Sequence, residues 1–130
     1  MRLNYSDNEE YPGQFALWQA NCQRSLRGRR GQASLRALKA ALLALPEKRL
    51  IAHEIQDDTG AVCAVGALAK QQQRNLVTSD PDETVKLGEQ CGLPHLVAWK
   101  VVEENDITLD AVTAEQRYDQ MLRWIEEHLR

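Results

Sequence analysis

The sequence predicts a mainly α-helical protein, a single-domain bundle of about five to six helices formed by residues 1–130. Apolar residues recur at helical spacing along most of the chain, and proline or glycine separates the periodic stretches. With 130 residues, of which 43% are hydrophobic and 27% charged, the chain has the size and composition of one ordinary globular domain. No internal repeat or long linker divides it.

Two helices are predicted in the N-terminal third. Residues 1–12 form a polar lead-in, and an apolar stripe at helical spacing then marks the first helix, with Phe15, Trp18, Cys22 and Leu26. Gly28 is expected to end this helix in a left-handed conformation. The segment 27–31 is interpreted as a basic connector. A leucine- and alanine-rich second helix is predicted over residues 32–45, before Pro46.

The middle of the chain holds one ambiguous segment and one strongly apolar segment. Residues 50–55 have strand-like composition and residues 57–60 read as a turn, so a short β-hairpin around residues 50–63 is one alternative, provided that it packs against the helices. Residues 61–69 are almost all small or apolar, which is typical of a buried helix. Gly66 costs about 1 kcal/mol in a helix interior, which predicts close approach of a neighbouring segment.

Three further helices are predicted in the C-terminal half. Asp80-Pro81 starts one that stops at Gly92, and Pro94 opens the next, which ends at residues 104–106. The spacing of Thr113 and Gln116 predicts a capping box for the last helix. The expected core-facing residues of the last two helices are Leu96, Val97, Trp99, Val101, Tyr118, Met121, Leu122, Ile125 and Leu129. Structural core roles are assigned above all to Trp18, Cys63, Gly66 and Trp99.

Charge is distributed unevenly along the chain. Residues 1–50 contain nine Lys/Arg and four Asp/Glu, a balance of +5, whereas residues 51–130 contain seven and fifteen, a balance of −8. Such asymmetry indicates a docking face, or complementary faces that meet inside the fold or across a homodimer. The only concentrated basic cluster comprises Arg24, Arg27, Arg29 and Arg30. These arginines are the candidate partner-binding residues, with a solvated connector as the alternative.

Catalytic, metal and cofactor chemistry is not indicated. Three scattered cysteines and three histidines show no recognised ligand spacing, so no metal site or cofactor is predicted. Cys63 with His53, oriented by Asp57, Asp58 or Asp106, would be the only nucleophile–base candidate, but a cysteine among alanines and valines is expected to be structural. The polar N-terminus and the short apolar runs predict a cytoplasmic protein without a membrane segment.

A helix-turn-helix over residues 82–104 is the alternative functional interpretation. Two short predicted helices flank a turn glycine, as in DNA-binding regulators. The second of these helices offers only His95 and Lys100 as cations, and this half of the chain is acidic. Because DNA binding depends on neutralising phosphates, nucleic acid is the less favoured partner.

The motifs at 27–33, 46–52 and 62–68, the last reading Val-Cys-Ala-Val-Gly-Ala-Leu, resemble small uncharacterised proteins of bacteriophages and prophages. The later stretch 101–106, then Thr113 and the closing helix, is similar to the end of an uncharacterised bacterial family that pairs a Cys-Ala-Leu-Gly-Ala-Leu segment with a downstream Asn-Asp. Glu103 and Glu104 stand before Asn105 where the family often has an aromatic residue. Val65 stands here in place of the family leucine. The resemblance implies a mobile-element context without a mechanism. We therefore expect a non-enzymatic protein that binds and modulates a bacterial host protein, with inhibition of a defence system as a typical role.

Overall fold

A computed structural model describes residues 13–76, 81–106 and 113–130, and the side chains within these ranges except those of residues 81 and 82. Its six helices confirm the predicted mainly α-helical, single-domain bundle. They are α1 (Gln14–Arg27), α2 (Arg29–Leu43), α3 (Ala64–Gln71), α4 (Pro81–Gln90), α5 (His95–Asp106) and α6 (Ala114–His128). The predicted lead-in 1–12 and the cap at Asp80 lie outside the described residues.

Helices α2 and α3 form the centre of the bundle. Helix α2 packs against α1, α3 and α6, and α3 packs against α2, α4 and α5. The α2 leucines on one face, together with the small side chains of α3, are almost completely buried. The Tyr118 hydroxyl of α6 donates a hydrogen bond to the Leu42 carbonyl oxygen at 3.0 Å, which holds α6 against α2. Burial of this apolar surface is the main source of stability.

The junction between α1 and α2 differs from the sequence-based prediction. Gly28 has φ −70° and ψ 169°, an extended conformation and not a left-handed one, and α2 begins at Arg29 instead of residue 32. The expected connector therefore shrinks to one residue. Gly31 lies within α2, where a Cβ atom would overlap the Ser25 carbonyl oxygen. The second glycine therefore permits close packing of the two helices and is not part of a flexible loop.

Residues 50–63 form an irregular segment without the regular strands of a hairpin. Gln56 and Val62 make one isolated antiparallel bridge, and Ile51 N–H donates to the Val62 carbonyl at 3.0 Å. The predicted turn is present, because the Asp57 carboxylate accepts hydrogen bonds from the main chain of Thr59 and of Ala61. The hairpin alternative is therefore corrected to a single bridge closed by an Asp57 turn.

Helix α3 starts at a thiol cap and is buried along nearly its whole length. The Cys63 Sγ accepts the Gly66 N–H at 3.3 Å. A Cβ at Gly66 would stand 2.6 Å from the Ile55 carbonyl oxygen and 3.0 Å from the Val62 Cβ. The close approach predicted at Gly66 is therefore made by the irregular segment, which lies directly on α3.

Asn105 links this segment to three helices. Its side chain is buried; Oδ1 accepts the Ala64 N–H at 3.0 Å, and Nδ2 donates to the Ile51 carbonyl at 2.9 Å. Its own carbonyl oxygen accepts a hydrogen bond from the Arg117 guanidinium of α6. Asp106 Oδ1 accepts from Asn105 Nδ2 and from the His53 N–H. The Cys-Ala and Asn-Asp motifs, 41 residues apart in sequence, thus meet directly.

The remaining helix ends follow the predicted signals. Gly92 has φ +103° between α4 and α5, as required for the sharp turn after α4. The capping box at α6 is complete: Thr113 Oγ1 accepts the Gln116 N–H, and Gln116 Oε1 accepts the Thr113 N–H. At the other end of α6, the buried Gln32 amide donates to the Leu26 and His128 carbonyls. Gln32 thereby joins α1, α2 and α6.

Replacing Gly66 by alanine should destabilise the protein by about 1–3 kcal/mol, although alanine favours helix formation. The added methyl group would meet a main-chain oxygen, which cannot move without displacing the irregular segment. Urea and thermal unfolding of Gly66→Ala and of Gly13→Ala test this expectation. Gly13 is the matched control because a Cβ there meets nothing within 4 Å. Equal stability of the two variants would contradict the assigned contact.

Replacing Asn105 by alanine should cost about 1–3 kcal/mol for each buried group that is left unpaired. The Ala64 N–H and the Ile51 carbonyl would both lose a partner. Asn21→Ala in α1 is the control, since that side chain is only half-buried and alanine is the better helix former. Hydrogen exchange should also show faster opening of the first turn of α3 in the Asn105 variant. Unchanged exchange there would refute the linking role.

Candidate interaction surface

Arg24, Arg27, Arg29 and Arg30 form what we call the basic patch, at the end of α1 and the start of α2. Gly28 alone separates the two helices, so the four residues lie within two consecutive helical turns. All four side chains are exposed. Within the described ranges, none of them forms an ion pair with a carboxylate. Among the described residues, the charge of the patch is therefore not compensated by a salt bridge.

Helix dipoles act differently on the two halves of the patch. Arg24 and Arg27 lie in the last turn of α1, where a cation is favourable. Arg29 and Arg30 lie at the N-terminus of α2, which has no acidic residue in its first turn and no side-chain cap hydrogen bond. Cations are unfavourable at that end of a helix. Arg29 and Arg30 thus lie where the helix dipole disfavours a positive charge.

Leu17 is a candidate residue that sequence reasoning missed. Its side chain is 60% exposed, more than any other large hydrophobic side chain among the described residues. Helical geometry places it opposite the buried stripe of α1 and in line with Ala20, Arg24 and Arg27, which follow three, seven and ten residues later. The signal is present in the sequence as a leucine that lies off the buried stripe of α1.

The nucleophile candidate is not assembled. Cys63 is buried, and loss of solvent is the main factor that raises the pKa of its thiol to about 12. Its sulfur is occupied by the Gly66 N–H, and the His53 side chain is exposed. Among the described hydrogen bonds, the Asp106 carboxylate accepts from the main-chain N–H of His53 and not from its imidazole ring. A thiol with this pKa is protonated at neutral pH and is a poor nucleophile.

The other proposed core residues occupy different depths. Trp18 and Gly66 are buried, whereas Trp99 is only partly buried and packs against the edge of the core. The Trp18 ring has the Lys100 ammonium 5.8 Å from its centroid, and Trp99 meets the His95 ring edge-on at 6.4 Å. Trp18 therefore contributes to the α1–α5 contact, and Trp99 is peripheral.

The two cations of the helix-turn-helix alternative are poorly placed for phosphates. Lys100 has a side chain only 8% exposed, with its ammonium 2.7 Å from the Glu103 carboxylate and 3.8 Å from that of Glu104. His95 is exposed, but its Nδ1 lies 3.4 Å from the Glu89 carboxylate. Helices α4 and α5 have the arrangement of two helices around a turn. Their candidate cations, His95 and Lys100, lie beside carboxylates of the same chain.

Comparisons with known proteins found no match. No family model matches the chain, and neither curated protein sequences nor solved structures are significantly similar to it. None of the helices in the described part of the chain has the length and apolar character needed to cross a bilayer. The described residues also contain no group of three or more His, Cys, Asp or Glu arranged to hold a metal ion.

Glu104 responds to the crowded charges around Lys100. Half-burial raises the pKa of this carboxyl group; the Lys100 ammonium lowers it, and the Glu103 carboxylate raises it again. From α6, His128 lowers the pKa and Glu127 raises it. Lys100 is closer to Glu103, so its attraction does not offset the burial of Glu104. Folding therefore disfavours the charged form of Glu104.

Glu104→Gln should consequently stabilise the protein at about pH 7. A carboxyl group whose pKa is raised by folding contributes stability below its unfolded pKa, near 4.5, and loses that contribution as pH rises through the folded value. The gain from the glutamine should therefore disappear at about pH 4, where the native Glu104 is protonated. Urea unfolding at both pH values measures the difference.

Glu103→Gln is the matched variant and should behave oppositely at about pH 7, because it removes the closest carboxylate from the buried Lys100 ammonium. Equal effects of the two substitutions would mean that the carboxylates share Lys100 evenly. A loss of stability in Glu104→Gln at neutral pH would contradict the expected sign.

Proposed function

We propose that this protein is a non-enzymatic interaction protein of the phage or prophage type, which binds and modulates a bacterial host protein through the basic patch. The observation that carries the proposal is the set of four exposed arginines at the α1–α2 junction, which have no carboxylate partner among the described residues. Inhibition of a bacterial defence system is the role that the sequence resemblance suggests for such a protein.

A structural role would not explain the patch. Exposed arginines without ion partners add little to stability, and Arg29 and Arg30 oppose the dipole of α2. Arginine presents a planar set of donors that match carboxylates in pairs, so a patch of four suits an acidic protein surface. Charges of this kind act mainly on the rate of encounter and on the register of the complex.

A protein partner is favoured over duplex DNA by what lies beside the arginines. Leu17 lies on the same line along α1 as Arg24 and Arg27, and it is exposed. An exposed leucine can bury apolar surface against a protein partner, whereas DNA phosphates offer it no apolar contact. The candidate DNA-reading helix, α5, has its lysine buried against Glu103. Helices α4 and α5 have the arrangement of a helix-turn-helix, but the cations of α5 do not favour phosphate binding.

Changing Arg27, Arg29 and Arg30 together to serine should leave the melting temperature nearly unchanged and abolish capture of the partner from a bacterial lysate. Exposed ion pairs contribute only about 0–1 kcal/mol each, and these arginines have no such partner in the described part of the chain. With the captured protein purified, its affinity for the parent should fall as salt is raised. The affinity that remains in the variant should be much less sensitive to salt.

A charge-matched control changes Arg36, Arg74 and Arg123, three exposed arginines outside the patch, to serine. This variant has the same net charge as the patch variant and should keep the partner. Capture of no specific protein by the parent would refute the proposal. Equal loss in both variants would show that only overall charge matters, and unchanged binding together with a large loss of stability would assign the patch to folding.

A further inference from the structure

The outward face of α1 carries more than charge. Leu17 is followed along one line by Ala20, Arg24 and Arg27, and Ala16 lies one turn before Ala20 on the same side. All five side chains are exposed. The opposite face of the helix is committed to the core through Trp18, Cys22 and Leu26. Helix α1 thus has two distinct faces, one buried and one exposed.

We infer that this outward face seats an acidic amphipathic helix of the partner protein. This inference rests on the proposed function and specifies the chemistry of the partner. The partner helix would place an apolar side chain against Leu17 and carboxylates against Arg24 and Arg27. Charge complementarity selects an acidic occupant, because the face presents two arginines, and Arg29 and Arg30 extend the same positive region.

The spacing along the face suits a helix. Leu17 and Arg27 are ten residues apart, about 15 Å along the helix axis, a distance that a partner helix of three turns spans. Ala16 and Ala20 leave room beside Leu17 for side chains of a second helix, since helices pack by inserting ridges into grooves. Arg24 and Arg27 follow on adjacent turns, where each can bind one carboxylate in a bidentate manner.

The test uses two synthetic peptides of about 20 residues, long enough to form helix in solution. The first carries one leucine with glutamates seven and ten residues away on the same face. The second has the same composition, with these residues distributed around the helix. Calorimetric titration into the full-length protein should show the first peptide binding about tenfold more tightly than the second, and more weakly as salt is raised.

Variants then separate the apolar contact from the charges. Leu17→Ser should weaken binding of the first peptide about tenfold, because the buried leucine contact is lost. Leu43→Ser is the matched control, since Leu43 of α2 is also a large exposed hydrophobic residue, at 52% exposure, and it should leave binding unchanged. Arg24→Ser should reduce both the affinity and its salt dependence.

The outcomes distinguish this inference from the proposed function. Equal binding of the two peptides, or no effect of Leu17→Ser, would overturn the helix-docking inference, while partner capture through the basic patch would still stand. Failure of both peptides to bind would also overturn it. Tighter binding of a duplex DNA of equal charge would overturn both. Sedimentation showing dimers that Leu17→Ser dissolves would assign the face to a second copy of the chain.

Discussion

The fold depends on one buried amide, that of Asn105, which is 2% exposed. The irregular segment 50–63 has one isolated bridge and a few main-chain hydrogen bonds of its own, and its Ile51 carbonyl is paired from outside the segment. Asn105 supplies an acceptor to the first N–H of α3 and a donor to Ile51, while its carbonyl holds Arg117 of α6. In a low-dielectric interior these bonds are strong, and leaving any of them unmade is costly.

Close packing at two glycines completes this arrangement. Gly66 lets the irregular segment lie on α3. The Ala64 N–H then reaches Oδ1 of Asn105, and the Ile51 carbonyl reaches its Nδ2. Gly31 lets α1 approach α2, and Gln32 beside it then reaches the end of α6. Helix α1 is thereby held against the bundle by its buried stripe and by the Gln32 amide, which binds the Leu26 carbonyl. Leu17, Arg24 and Arg27 on its opposite side are exposed.

Local sequence signals predicted the helices well and their junctions less well. Periodicity and capping residues identified six helices because those signals act within a few residues of each other. The start of α2 was predicted three residues late, because Gly28 and Gly31 both read as loop glycines, whereas Gly31 is needed for contact with Ser25 of another helix. The hairpin could not be excluded from sequence, since one partner of its main chain, the Asn105 amide that binds the Ile51 carbonyl, lies 54 residues away.

The candidate surface shows the same division between local and distant causes. The four arginines were evident as a cluster, but their lack of carboxylate partners among the described residues depends on where the acidic half of the chain folds. One pair does join the two halves, with Lys39 3.2 Å from Glu126, whereas Lys100 is neutralised by Glu103 of its own helix. Arg29 and Arg30 oppose the dipole of α2 and have no carboxylate partner among the described residues, a local inconsistency of the kind that proteins show at functional or strained sites.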